Sequence, residues 1–119
     1  MRGMKMHELG VVFHIIRGVE KTAADYQLTD IASVTVELGQ VSTVIPHYLT
    51  DCWGWAVKKT QLLKSAELVI EEIPALTYCE GCKTTYSTVE YGRICPNCGS
   101  EKTYLIQGNE VNIKEIEAC

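Results

Sequence analysis

Two cysteine pairs constrain this chain more than any other feature. Cys79 and Cys82 are separated by two residues, a spacer of twelve follows, and Cys95 and Cys98 repeat the spacing. Two residues between cysteines let one tight turn present both sulfurs to the same ion. Two such turns supply the four thiolates of a tetrahedral site. Cys82-Lys83 and Pro96-Asn97-Cys98-Gly99 have the polar, glycine-bearing composition these turns need. The pattern predicts a structural zinc, because four protein ligands leave no position open for substrate or water. Four thiolates also suit iron, and zinc is favoured because nothing else in the sequence suggests redox work. Residues 75–103 hold both pairs, many turn residues and few aliphatics. They cannot bury much apolar surface, so metal binding is expected to supply their ordering energy.

The rival reading, disulfides, depends on the compartment. No segment has the character of a membrane span or export signal. The apolar run over residues 9–16 contains His14 and stops at Arg17, which is too short to span. The expected location is the cytoplasm, where thiols stay reduced and paired spacing reads as metal ligation. At 119 residues the chain is sized for one domain with a small appendage. A net charge of −4 gives no reason to bind nucleic acid or an anionic membrane. Around the cysteines, Lys83, Arg93 and Lys102 are offset by Glu80, Glu90 and Glu101, with no basic stripe.

The rest of the chain alternates helical and strand periodicity. Over residues 6–27, Leu9, Val12, Phe13, Ile16, Val19, Ala23 and Tyr26 recur in steps of three and four, predicting one helical stripe. Residues 31–38 set Ala32, Val34, Val36 and Leu38 against Ser33, Thr35 and Glu37, a half-buried strand closed by Gly39. Pro46 suits the first turn of a second helix, whose stripe is Tyr48, Leu49, Cys52, Trp53, Ala56 and Val57. Residues 67–73 read as a second strand ending at Pro74. A short strand at 104–106 is expected to turn at Gly108-Asn109 into a closing strand over 110–117. The predicted fold class is α/β (α+β): two helices on a small mixed or antiparallel sheet, with a four-cysteine zinc ribbon inserted before the last strands.

Met6-His7-Glu8 opens the first helix. An imidazole with neighbouring backbone nitrogens makes a square-planar set, a geometry typical of Ni(II) and Cu(II). The plainer reading is that Glu8 favours the positive helix start and His7 is a solvent-exposed side chain. From the tripeptide alone, that plainer reading is the stronger.

Taken together, the blocks along the chain resemble the HypA/HybF family. They are Met6-His7-Glu8-Leu9, Glu37-Leu38-Gly39-Gln40-Val41-Ser42, Pro46-His47-Tyr48-Leu49, residues 66–74, the cysteine pairs with Cys95-Pro96-Asn97-Cys98-Gly99-Ser100, Gly108-Asn109-Glu110-Val111 and Lys114-Glu115-Ile116-Glu117. The resemblance runs in order over nearly the whole chain from Met6. It implies a nickel metallochaperone for [NiFe]-hydrogenase maturation, with urease as a further recipient, and not an enzyme. It implies zinc at Cys79, Cys82, Cys95 and Cys98, and nickel as cargo at Met6, His7 and Glu8. It further implies an accessory GTPase, HypB, and the hydrogenase large-subunit precursor as partners. Oligomeric state is expected to be monomer or weak homodimer. On this reading residues 1–74 plus 104–119 form the α/β nickel-binding domain and 75–103 the zinc-binding module. In the family the motif starts the chain, whereas here five residues precede it, so Met6 offers only an amide nitrogen that must lose its proton to bind. Met1, Met4 and Met6 are all candidate starts.

Remaining candidates read as structural. His14, seven residues after His7, is expected to be half-exposed, and His47 to be on the surface. Cys52 and Trp53 fit the core, Cys119 a free terminal thiol, and Trp55 an exposed partner surface. No glycine-rich phosphate loop or catalytic constellation is present. The alternative function is a zinc-ribbon adaptor for protein or nucleic acid.

Overall fold

The computed structural model describes residues 5–119, so the alternative starts Met1 and Met4 lie outside the described residues. The chain runs α1 (Met6–Asp25), β1 (Ile31–Gly39), α2 (Pro46–Ala56), a 3-10 turn (Val57–Lys59), β2 (Glu67–Ile73), β3 (Leu76–Cys79), β4 (Thr85–Ser87), α3 (Thr88–Tyr91), β5 (Thr103–Gln107) and β6 (Val111–Ala118). The strands form two sheets of order β2-β1-β6 and β4-β3-β5. No helix among the described residues is long and apolar enough to cross a membrane.

Helix α1 forms because its apolar residues share one face. Leu9, Val12, Ile15, Ile16, Val19 and Ala23 are all buried. Two members of the expected stripe fall outside it, with Phe13 41% and Tyr26 74% exposed. At about 100° per residue, Phe13 stands roughly 90° from the centre of the buried stripe, while Ile15 closes its other side. Pro46 takes the first turn of α2, and Leu49, Cys52, Trp53 and Ala56 are buried. Trp53 Nε1 donates to the Ala66 carbonyl at 3.0 Å, which satisfies its one polar atom inside the core. With Ile31, Val34, Val36 and Leu38 of β1 also buried, each such aliphatic contributes about 1.5–3 kcal/mol of burial.

β1 is the middle strand of the first sheet. Gly39 N–H donates to Glu110 and Cys119 N–H to Asp30, so β6 runs antiparallel to β1. Gln40 N–H donates to Ile73, so the end of β1 meets the end of β2 and that pair runs parallel. The sheet is therefore mixed. Lys114 and Glu71, both about half-exposed, form an ion pair at 2.8 Å.

The second sheet corrects the expected place of residues 104–106. β5 does not continue the first sheet; it pairs antiparallel with β3, in the register Thr77↔Leu105 and Cys79↔Thr103. β3 also pairs with β4, Thr77↔Tyr86. Gly108 is therefore not the turn of a hairpin between β5 and β6. It is a crossing point, at φ +120°, in a region L side chains rarely adopt. A Cβ there would fall on Ala75, and one on Gly39 would fall on the Gly108 carbonyl. Three chain passes meet here at backbone distance: Val41 N–H donates to Gly108, and Gln40 Oε1 accepts the Ala75 N–H at 2.9 Å.

The chain divides into two compact units, residues 1–37, 44–71 and 112–119 in one, 38–43 and 72–111 in the other. The unit carrying the cysteines thus extends past 75–103 at both ends and recruits 38–43.

Candidate metal centres

Cys79 closes β3, and Cys82 follows a turn that leads toward β4. Cys95 and Cys98 lie in the loop between α3 and β5. The two turns are built alike. In the first, Lys83 N–H donates to the Cys79 carbonyl and Cys79 N–H to Thr84. In the second, Gly99 N–H donates to Cys95 and Cys95 N–H to Ser100. Each turn ends on a left-handed residue, Lys83 at φ 60° and Gly99 at φ 73°. This double reversal places both sulfurs of a turn on one side, which a two-residue separation allows.

The four sulfurs of Cys79, Cys82, Cys95 and Cys98 lie within 4.8 Å of one another. Across the two turns, Cys79 Sγ is 3.5 Å from Cys98 Sγ and Cys82 Sγ is 3.6 Å from Cys95 Sγ. A tetrahedral ion with metal–sulfur bonds of about 2.3 Å would set its sulfurs about 3.8 Å apart. The separations bracket that value, so the donor set fits one such ion. Cys79 and Cys95 are buried, Cys82 is half-buried and Cys98 is exposed. Tyr86 completes a small cluster with Cys79 and Cys95, and Cys82 packs against it.

Hydrogen bonds divide the charge unevenly among these sulfurs. Asn97 and Thr84 donate toward Cys82 and bring its thiol down to about 6. At Cys95, burial opposes ionisation, but the backbone N–H groups of Cys98 and Asn97 keep the thiol below its ordinary range. The Asn97 N–H lies 3.4 Å from Cys95 Sγ. The Ser100 N–H favours the Cys98 thiolate, yet Cys79, burial, Cys82 and Cys95 together push that thiol up to about 12. Without a cation the cluster therefore resists full ionisation. A divalent ion removes that conflict, which is the behaviour expected of a metal site.

The three residues of the amino-terminal motif do not converge. Consecutive residues on a helix stand about 100° apart. Met6 and His7 are exposed, whereas Glu8 is only 3% exposed. Glu8 Oε2 accepts the N–H of Ile45, the N-cap residue of α2, at 3.0 Å. Nothing in the local pattern signals that bond, since its partners are 37 residues apart. Lys5, on the other flank, also meets α2: its carbonyl is 3.8 Å from Cys52 Sγ, and its Nζ is 5.1 Å from the centroid of the Tyr48 ring.

His14 is exposed on α1, and His47 is an exposed partner of Asp51 at 3.5 Å. Cys52 is fully buried, and burial pushes its thiol up. Cys119 is exposed. Trp53 is 3% exposed. Trp55 is half-buried and carries Lys59 Nζ 4.1 Å over its ring, so it is more covered than expected. Among the described residues, the four cysteines are the one group of three or more His, Cys, Asp or Glu placed to share an ion.

Comparison with known proteins adds to this geometry. A family model described as hydrogenase/urease nickel incorporation, metallochaperone, hypA matches residues 6–118. The hydrogenase maturation factor HypA of Azotobacter chroococcum mcd 1 is 31% identical over 112 residues, spanning 94% of this chain and 98% of that protein. Its counterpart in Streptomyces avermitilis is 33% identical over 113 residues, spanning 93% and 86%. A solution structure of HypA protein aligns with a TM-score of 0.74 at 26% identity, over 97% of this chain and 98% of that one. The Ni metallochaperone HypA from Helicobacter pylori shares the fold, with a TM-score of 0.71 at 24% identity over 93% and 96%. With its mixed α/β fold, its four clustered sulfurs and a match over residues 6–118, the chain belongs to the HypA family of hydrogenase and urease nickel-incorporation metallochaperones.

Proposed function

We propose that this chain carries Ni(II) at Met6-His7-Glu8 and delivers it, in the cytoplasm, to the [NiFe]-hydrogenase large-subunit precursor, with urease as a second recipient. A HypB-type GTPase times the transfer. Cys79, Cys82, Cys95 and Cys98 hold a resident zinc, which supplies the ordering energy of its module and takes no part in exchange. Four thiolates at this spacing, with no open position, support that division of labour.

The observation that carries the nickel assignment is where the hydrogen-bond ladder of α1 begins. Among the described residues, its first rung is Leu9 N–H to the Lys5 carbonyl at 2.9 Å. The amides of Met6, His7 and Glu8 stand ahead of that rung, as first-turn amides do. A nickel set built from the His7 imidazole and adjacent amide nitrogens therefore takes no donor from that ladder. His7 is also exposed, so a partner has access to the ion for ligand exchange.

Nickel titration of the zinc-loaded protein, with elemental analysis, tests the reading. One nickel per chain at micromolar or tighter affinity is expected, lost in His7→Ala with zinc content unchanged. Binding that persists in His7→Ala would overturn it.

A further inference from the structure

Glu8 is held in a way that a carboxylate ligand would not need. It lies in the first turn of α1 yet is 3% exposed, and its Oε2 is engaged by Ile45 N–H at 3.0 Å. Ile45 caps α2 without a side-chain cap of its own. The Glu8 carboxylate therefore accepts the N–H of the N-cap residue, as the third-position Glu of a capping box does within one helix, and it also faces the positive end of the helix dipole. To ligate nickel through its side chain, Glu8 would have to abandon this part-buried bond and leave the N-cap N–H of α2 without its carboxylate.

We propose that Glu8 is a positioning residue for the nickel turn, whose carboxylate stays on Ile45 N–H and fixes the point where nickel-induced unwinding of α1 stops. The inference rests on the proposed nickel binding at Met6-His7-Glu8, with the His7 imidazole and backbone amides as ligands. An imidazole and successive amide nitrogens must lie in one plane around Ni(II), whereas helical backbone points successive N–H groups along the axis. Binding therefore takes Met6 and His7 out of the helix and breaks the rungs that end on the carbonyls of residues 5–7, starting with Leu9 to Lys5. Glu8 keeps the remainder of α1 against α2, so the loosened segment is short and its ligands remain near one another. This is preorganisation by a tether, with the ligating atoms supplied by its neighbours.

The test uses the full zinc-loaded chain and nickel sulfate as probe, read by visible absorption and by amide hydrogen exchange. In Glu8→Gln the side-chain carbonyl still accepts the Ile45 N–H. Its nickel affinity is expected within about threefold of the parent, whereas Glu8→Ala is expected to lose about tenfold or more. Both should keep the absorption band of the parent, since the ligands are unchanged. In the parent, nickel should speed exchange at Leu9 and leave Ile45 slow. A shifted band or lost binding in Glu8→Gln would make the carboxylate a ligand and overturn the proposal. So would parent-like affinity in Glu8→Ala, or fast exchange at Ile45 on loading. Should Glu8→Ala fail to fold, Glu8→Gln and the exchange pattern of the parent still decide. Nickel retained by His7→Ala would overturn the nickel assignment itself, and that result is distinct from nickel lost in His7→Ala but unaffected by Glu8→Ala.

Discussion

The four sulfurs around Cys79 and the turn at His7 hold their donors in different ways. At the cysteines every donor is already in place, within 4.8 Å of its fellows, on two turns of the same construction. At the amino terminus Met6 and His7 face solvent, and the one buried side chain, Glu8, is committed to Ile45. Preassembled donors keep their ion because releasing it leaves like charges crowded together. Exposed donors that must rearrange to bind lose affinity to that rearrangement, and so release the ion more readily. Under the proposed function, this difference lets one chain keep one metal and pass on another.

The largest expected effect comes from attacking the preassembled site. Cys79→Ser or Cys95→Ser should abolish stoichiometric zinc and unfold the strands around it, since structural zinc of this type is worth about 10–16 kcal/mol. Elemental analysis and amide dispersion over residues 76–107 would show it. If the cysteine variants lost zinc but kept that sheet, the contrast would fail.

Smaller effects separate backbone from ligand. Gly108→Ala forces a Cβ onto Ala75 at φ +120° and should cost about 3 kcal/mol in urea denaturation of the zinc-loaded protein. Lys83 occupies a left-handed position that Gly99 fills in the other turn. Lys83→Gly should therefore stabilise, by about 1 kcal/mol or less, with zinc retained. His7→Ala should move stability least, within about 0.5 kcal/mol, while nickel binding is lost. A destabilisation comparable to that of Gly108→Ala would show that the turn is structural and would collapse the contrast between the two regions.

What is legible in the sequence follows the range of the interactions. The clustering of Cys79, Cys82, Cys95 and Cys98 can be read because each turn is closed within a few residues by its own backbone bonds. The helical stripe of α1 and the alternation of β1 are equally local. Phe13 misleads because it fits a step of four from Leu9, yet lies on the stripe's margin, where packing decides. β5 reads as part of the wrong sheet because Gly108-Asn109 has the composition of a hairpin turn. Only its proximity to Ala75 and Gly39 marks it as a crossing. The Glu8 bond to Ile45 joins residues 37 apart and leaves no periodic trace. β3 and β4 escape notice because a segment dominated by cysteines and turn residues hides short strands.

The meeting of Gly39, Ala75 and Gly108 has a consequence for the order of events on the ribosome. Gln40 and Glu110 belong to the same compact unit but emerge about 70 residues apart. At about 5–20 residues per second, the earlier segment waits roughly 4–14 s for its partner. The last thiol, Cys98, precedes Glu110 by only 12 residues, roughly 0.6–2.4 s at that rate, so all four have a short interval in which to take up zinc while the crossing is still open. Metal capture can thus precede the closure of the backbone around it.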